Sequence, residues 1–190
     1  MRKEIVLCGV GGQGTVLASR LISAAAMARN LPVLSAETIG MAQRGGSVFS
    51  HLRIGEGLFS PMIARGEADL ILGFEPGEAV RMLPYLKPDG RVIVSDRPVM
   101  PVTASLSGSD YRAEDMLAYL RSRVAHLEII NAEKALRDVG SPKVLNLILL
   151  GAAVRSGALG LAREDLAGAV LRLVPEKFHM LNLKALDWEQ

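Results

Sequence analysis

Residues 6–15 read Val-Leu-Cys-Gly-Val-Gly-Gly-Gln-Gly-Thr, and this stretch decides how the chain folds. Gly9, Gly11 and Gly14 have the spacing G-x-G-x-x-G, after a short apolar run and before a long segment rich in Ala and Leu. Between a strand and a helix, this spacing is typical of a turn whose backbone N–H groups bind a phosphate. The alternative is a turn that needs glycine only for close packing. Both interpretations predict a strand, a tight turn and a helix here.

The apolar runs that surround this turn predict alternating strands and helices. Residue 131 is Asn, which is placed to cap a short helix. Such alternation predicts an α/β fold with a doubly wound, mainly parallel, Rossmann-like sheet that has helices on both faces. The predicted strands are 4–8, 32–36, 48–54, 69–74, 91–95 and 127–130; the predicted helices are 15–29, 78–86 and 112–124. Residues 87–90, Lys-Pro-Asp-Gly, are a turn signal that ends the helix 78–86.

Only helices are predicted after residue 141. Pro142 favours the start of a helix that runs through Arg155, a second helix covers 162–174, and Pro175 opens the last. We therefore expect a single domain over residues 1–190, with an α/β core at 1–131 and a C-terminal helical appendage at 141–188.

The second informative stretch is "ETIGMAQRGGSVFSHLRIG", residues 37–55. Glu37 lies near the place where a dinucleotide site has the acidic residue that binds a ribose. Gly45 and Gly46, with the Arg44 guanidinium and the Ser47 hydroxyl, could form an anion-binding loop. The alternative is a mobile loop, or one ordered only against another protein. The candidate cofactor-binding residues are Gly9, Gly11, Gly12, Gln13, Gly14, Glu37, Arg44, Gly45, Gly46 and Ser47; no catalytic or metal-binding residue is assigned.

His51 and Arg53 follow this loop on one face of the predicted strand 48–54. They are interpreted either as a solvated pair at a sheet edge or as an extension of the basic lining of the loop.

Composition excludes several classes of function. The net charge is +2, with no basic stripe, so we expect no nucleic-acid partner. The single cysteine, Cys8, cannot hold an iron–sulfur cluster and is interpreted as a small buried side chain. The most apolar late segment, residues 145–154, is well short of a membrane span, and the N-terminus lacks the pattern of a signal peptide. We expect a cytoplasmic protein without a membrane partner.

Five stretches together resemble one protein family over essentially the whole chain. They resemble the gamma-type domain of 2-oxoacid:ferredoxin oxidoreductases, and among these the beta subunits of indolepyruvate-oxidising members. The MAQRGGS segment is the most specific of them. The stretches are "GVGGQG", "ETIGMAQRGGSVFSHLRIG", "GEADLILGFEPGEAVRML", "GSPKVLNLILLGA" and "VPEKFHMLNLKAL".

The resemblance implies a subunit of an enzyme that oxidatively decarboxylates arylpyruvates to acyl-CoA. Thiamine diphosphate and the iron–sulfur clusters are then expected in a large alpha subunit, and ferredoxin is expected to interact through the complex. No cofactor is expected to be held firmly by this chain, although coenzyme A is a candidate ligand because the gamma domain of relatives is associated with it. The chain alone is expected to be inactive. Two alternatives stay open: a stand-alone dinucleotide-binding dehydrogenase, and a non-catalytic module that stabilises its partner.

Overall fold

The computed structural model describes residues 2–38, 45–100 and 111–190. The strands are β1 (Lys3–Val10), β2 (Val33–Glu37), β3 (Ser47–Ile54), β4 (Ala68–Gly73), β5 (Leu86–Ser95) and β6 (His126–Ile130). The helices are α1 (Thr15–Ala28), α2 (Pro76–Met82), α3 (Ala113–Arg123), α4 (Ala132–Val139), α5 (Leu145–Arg155), α6 (Arg163–Leu173) and α7 (His179–Leu186), with 3₁₀ turns at Leu83–Tyr85 and Glu176–Phe178.

Six strands form one sheet in the order β2-β3-β1-β4-β5-β6. The pairs β1/β4, β4/β5 and β5/β6 are parallel, and β3 is antiparallel to both of its neighbours, β1 and β2. The segment 4–8 is therefore a central strand, as predicted, and seven of the eight residues of β1 are buried. A near-continuous apolar run suits this position because a central strand is covered on both faces.

Helices cover both faces of the sheet, which confirms the predicted fold class. Ala18, Leu21 and Ile22 of α1 pack with Ile5 and Leu7 on one face. On the other face, residues of α2 and α3 pack with Val6, Cys8 and Ile71. The side chains of β1 alternate between the two cores because successive residues of a strand point to opposite faces.

The ends of two helices follow from their sequences. Asn30 has φ of 56°, a left-handed conformation that asparagine tolerates, and α1 ends two residues before it, at Ala28. At the start of α4, the Asn131 side chain accepts a hydrogen bond from Lys134 N at 2.9 Å. This confirms the predicted cap.

Two predicted boundaries are wrong. Residues 87–90 were interpreted as a turn that ends a helix at Leu86, but they lie within β5. Ala68 pairs with Leu86 and Leu70 pairs with Arg91. Residues 87–90 therefore form an irregular bulge opposite one residue of β4. The helix predicted from Pro142 begins only at Leu145, since a turn occupies the residues between.

The C-terminal helices pack into the same core as the sheet. Leu147 and Leu150 of α5, Val170 of α6 and Leu186 of α7 belong to the buried cluster that contains Ile5 of β1. The C-terminal helices therefore share one hydrophobic core with the sheet. In the described parts of the chain, no helix combines the length and apolar character needed to span a membrane.

Helices α5 and α7 approach each other so closely that only glycine fits at one position. A Cβ atom added to Gly151 would lie 2.1 Å from the backbone oxygen of Leu186. Because this obstacle is backbone rather than a flexible side chain, an alanine there must push the two helices apart.

We expect Gly151→Ala to lower the free energy of unfolding by about 1–3 kcal/mol, as overpacking of a core does. Gly168→Ala in α6 is the matched control, since its added Cβ meets nothing closer than an arginine nitrogen at 3.6 Å. Alanine also has the higher helix propensity, so the control should gain up to about 1 kcal/mol. Urea denaturation measures both variants, and equal effects would contradict the close-packing argument.

Candidate functional site

The glycine turn joins β1 to the start of α1. Gly12 and Gly14 have φ of 101° and 83°, conformations that favour glycine. Gly14 precedes the first helical residue and offers no side-chain cap, and the first turn of α1 contains no acidic residue. The N–H groups of that turn have no helical partner and carry the positive end of the helix dipole. The described bonds likewise give the Gly12 and Gly14 N–H groups no partner, so this turn can bind an anion.

The loop between β2 and β3 contacts this turn directly. Gly11 N donates a hydrogen bond of 2.9 Å to Gly46 O, and Val10 pairs with Ser47 in the sheet. Strands β1 and β2 run in the same direction because β3 is antiparallel to both. The segment Gly45–Ser47 therefore lies at the same edge of the sheet as the glycine turn. Arg44 lies outside the described residues.

Ser47 is not available as an anion donor in this arrangement. Its Oγ donates a 2.5 Å hydrogen bond to Oε2 of Glu78 in α2. The Glu78 carboxylate is 2% exposed and also contacts Arg81 at 3.4 Å. A buried carboxylate beside Ser47 repels a phosphate from this side, so an anion is favoured at the α1 side.

A second buried carboxylate, Glu75, holds the connection from β4 to α2. It caps α2 by accepting a 2.9 Å hydrogen bond from Glu78 N, and it also accepts one from the Tyr111 hydroxyl. Burial raises the pKa of Glu75, and the bonds from Tyr111 and the backbone oppose that rise. Burial and the bond to Glu75 raise the pKa of Tyr111. Glu75 and Tyr111 thus form a hydrogen-bonded pair.

Cys8 lies beneath these carboxylates and is fully buried, which confirms its interpretation as a core residue. Burial, followed by the charges of Glu78 and Glu75, raises the pKa of its thiol well above the ordinary value. A thiol that stays protonated is neither a good nucleophile nor a good metal ligand. In the described residues, no group of three acidic, cysteine or histidine side chains could hold a metal ion.

Glu37 does not lie next to the glycine turn. It pairs with Ser50 of β3, and Ser50 pairs with Leu7 of β1, so a whole strand separates Glu37 from β1. From strand spacing and rise, it lies about 10 Å to the side of β1 and about 10 Å behind the end of β1. In an ordinary dinucleotide fold, β2 is adjacent to β1. The position of Glu37 therefore argues against a dinucleotide-binding dehydrogenase.

His51 and Arg53 are not at a solvated edge, because β3 lies inside the sheet. His51 is fully buried, and its Nδ1 accepts a 2.9 Å hydrogen bond from Ile63 N. Arg53 binds Glu4 through two nitrogens, at 2.6 and 2.9 Å. Both residues serve the packing of β3 and the following loop, so neither extends an anion site.

The turns after β1 and β4 flank the place where the sheet reverses its winding. Helix α1 packs on one face and α2 on the other, so their connections diverge at the carboxyl ends of two neighbouring strands. Open α/β sheets bind ligands at such a point. We name the junction between Val10–Gly14 and Phe74–Glu78 the switch crevice. One side offers backbone donors and the other offers buried carboxylates.

The sequence analysis missed Glu75, Glu78 and Tyr111. A signal for Glu75 was present, since an acidic residue directly before Pro76 suits the cap of a helix whose first residue is proline. No local sequence pattern relates Tyr111 to Glu75, since 36 positions separate them in the chain. Their contact depends on how the elements pack.

The pyruvate ferredoxin/flavodoxin oxidoreductase family model matches residues 4–188 of this chain. The chain belongs to this family. It is 37% identical over 186 residues to indolepyruvate oxidoreductase subunit IorB of Methanothermobacter thermautotrophicus, with 97% of this chain and 94% of the relative covered. The Archaeoglobus fulgidus subunit of that name is 35% identical, with coverage of 98% and 92%.

Solved structures share the fold. The gamma subunit of a keto/oxoacid ferredoxin oxidoreductase from Geobacter sulfurreducens has a TM-score of 0.68 at 24% identity, covering 97% of this chain and 94% of that one. A 2-oxoglutarate:ferredoxin oxidoreductase from Magnetococcus marinus, solved with coenzyme A bound, has a TM-score of 0.69 at 19% identity. The match covers 98% of this chain and 30% of that larger chain.

The burial of His51 predicts a pH dependence of stability. Burial lowers the pKa of His51 in the folded protein. The unfolded state therefore binds the proton more readily, and stability is lost as the pH falls below about 6.5, the ordinary histidine value. We expect His51→Asn, which keeps an acceptor for Ile63 N, to flatten the slope of unfolding free energy between pH 7 and 5. His126→Asn, at an exposed position, is the control. An unchanged slope in His51→Asn would refute the assignment.

Proposed function

We propose that this chain is the subunit without redox centres in a 2-oxoacid:ferredoxin oxidoreductase that acts on arylpyruvates such as indolepyruvate. The reaction is oxidative decarboxylation to acyl-CoA. The supporting observation is the 34–37% identity to four proteins named as indolepyruvate oxidoreductase subunits, over 97–98% of this chain. Relatives that act on other 2-oxoacids are only 27–28% identical, which favours the arylpyruvate class.

The proposal assigns the redox chemistry to a larger alpha subunit. Thiamine diphosphate supplies the electron sink that decarboxylation needs, and iron–sulfur clusters pass the electrons to ferredoxin. This chain has one cysteine, which is buried and protonated, so its residues do not fit a cluster. Its own contribution is to bind and orient a ligand, and to complete the complex.

Coenzyme A is the ligand that we propose for the switch crevice. Its diphosphate fits the unpaired N–H groups of the glycine turn at the start of α1, where no acidic side chain opposes it. Arg44, two residues before the Gly46 that contacts the turn, would add a charge-assisted contact. Gly45 and Gly46 shape this loop, and Ser47 anchors it to Glu78 rather than to the ligand.

We expect Gly12→Ala to weaken coenzyme A binding by the assembled complex about tenfold, because a side chain strains the turn that presents the N–H groups. Among the described residues no atom lies within 4 Å of the added Cβ, so the strain argued here comes from φ. Gly157→Ala is the matched control, since Gly157 has φ of 70°, open space around its Cβ and a position between α5 and α6. Both variants should lose similar stability, and only Gly12→Ala should lose affinity in calorimetric titration.

The Arg44→Ala variant distinguishes a ligand-binding role of this loop from a role in subunit association. On the present proposal it weakens coenzyme A binding about ten- to a hundredfold, the value of one charge-assisted hydrogen bond of about 1.5–3 kcal/mol. If it leaves that affinity unchanged but weakens subunit association, the loop serves docking and not coenzyme A.

Exposed apolar side chains on the described surface are candidates for contact with another chain. Phe59 and Met180 are 99% and 86% exposed. Exposed apolar side chains of this size are typical of protein interfaces when they cluster with others. Arg53 Nη1 holds the loop of Phe59 by donating to Ser60 O and Met62 O.

We expect the purified chain to reduce neither ferredoxin nor a viologen dye with any 2-oxoacid, even with thiamine diphosphate added. Addition of the alpha subunit should produce the activity, with indolepyruvate preferred over pyruvate and 2-oxoglutarate. Spectrophotometric assay of the dye measures both. Turnover by the chain alone would overturn the division of labour between the subunits.

One alternative function remains as a proposal, a module that only stabilises its partner. It differs in one measurable way, because such a complex binds coenzyme A equally well with wild-type chain and with Gly12→Ala. The single-domain organisation and the cytoplasmic location also stay predictions. Cleavage by a protease at one site, into two folded fragments, would contradict the first.

A further inference from the structure

The side chain of Gln13 spans the switch crevice. Its Oε1 accepts a 2.7 Å hydrogen bond from Val10 N, within the glycine turn. Its Nε2 donates a 2.9 Å bond to Phe74 O, in the connection from β4 to α2. One amide group therefore ties together two segments that are 61 residues apart in the chain.

The surroundings of Gln13 are built to hold it. A Cβ atom added to Gly9 would lie 2.7 Å from Gln13 Oε1 and 2.8 Å from Phe74 Cβ. Glycine at position 9 therefore makes room for the amide as well as for the turn. Phe74 is itself fully buried, and its N–H bonds to Cys8 O at 2.8 Å, so the far end of the bridge is fixed to β1.

This bridge changes the role of Gln13 in the motif. Both polar atoms of its amide are used within the protein, and the Val10 and Gly11 N–H groups are used too, by Gln13 and Gly46. The donors left for an anion are those of Gly12, Gly14 and the first turn of α1. The Gln13 amide is therefore already used within the protein rather than offered to a ligand.

We propose that Gln13 is a positioning residue that fixes the distance between the two segments of the switch crevice and so sets the orientation of the anion-binding N–H groups. The inference rests on the proposed function for the identity of the ligand, but not for the bridge itself. A bridge of this kind makes the backbone on both sides of the crevice rigid together. When the amide is removed, we expect both segments to become more flexible together.

Gln13→Met tests the bridge, since methionine has similar length and flexibility but cannot make either bond. In hydrogen–deuterium exchange of the full chain, we expect the hydrogen-bonded amides within residues 11–17 (Gly11 and Gln13) and within residues 74–79 (Phe74, Glu78 and Ala79) to exchange about tenfold faster together. Gln13→Glu keeps the acceptor for Val10 N and places a second oxygen against Phe74 O. In this variant, amide exchange should become faster in residues 74–79 and stay closer to the wild-type rate in residues 11–17.

Coenzyme A titration of the assembled complex gives a readout that a merely structural role would not move. We expect Gln13→Met to bind about tenfold more weakly. Asn182→Leu is the control, because it removes a 2.8 Å bond to Phe178 O in the C-terminal helices, outside the two segments that form the crevice. It should bind as wild type does.

The two proposals fail in different ways. Loosening of residues 11–17 alone in Gln13→Met, or unchanged exchange in both segments, overturns the bridge whatever the ligand. Coupled loosening in a complex whose wild-type form does not bind coenzyme A upholds the bridge and rejects the proposed ligand. Equal affinity loss in Gln13→Met and Asn182→Leu shows that general destabilisation is responsible, and this also overturns the positioning role.

Discussion

The position of one antiparallel strand, β3, determines much of this structure. It lies between β1 and β2, where an ordinary dinucleotide fold has those two strands as neighbours. Because β3 starts at the carboxyl end of β1, Gly46 reaches the glycine turn and bonds to Gly11. The same insertion moves Glu37 away from that turn. It also buries His51 and pairs Arg53 with Glu4.

The carboxyl edge of the sheet divides its charges between two sides. Helix α1 presents backbone donors there, whereas Glu75 and Glu78 place buried carboxylates at the start of α2. Each carboxylate is held by hydrogen bonds within the protein, so neither is left unpaired. This division limits where a phosphorylated ligand can lie. It also explains why Ser47, which has a suitable hydroxyl for an anion, binds a carboxylate instead.

The periodicity of apolar residues was sufficient to predict most helices and strands, but it was insufficient to predict where they end. Strand β1 and helix α1 were predictable because a buried strand and an Ala-rich helix have strong patterns. The turn predicted at 87–90 instead became a bulge, since pairing with β4 continues on both sides of it. For the candidate site, the glycine turn was visible as a motif. Glu75, Glu78 and Tyr111 were not, because their roles arise from contacts between distant segments.

The sequence by itself determined the α/β class, the glycine turn, the burial of Cys8 and the family resemblance. These properties depend on local spacing or on short motifs, which the chain carries whatever its packing. Only the tertiary structure decided that β3 separates β2 from β1 and that Ser47 bonds to Glu78. It also decided that Gln13 bridges to Phe74. Strand order and side-chain partners are not local, because they depend on which distant segments can bury their apolar faces and satisfy their polar groups together.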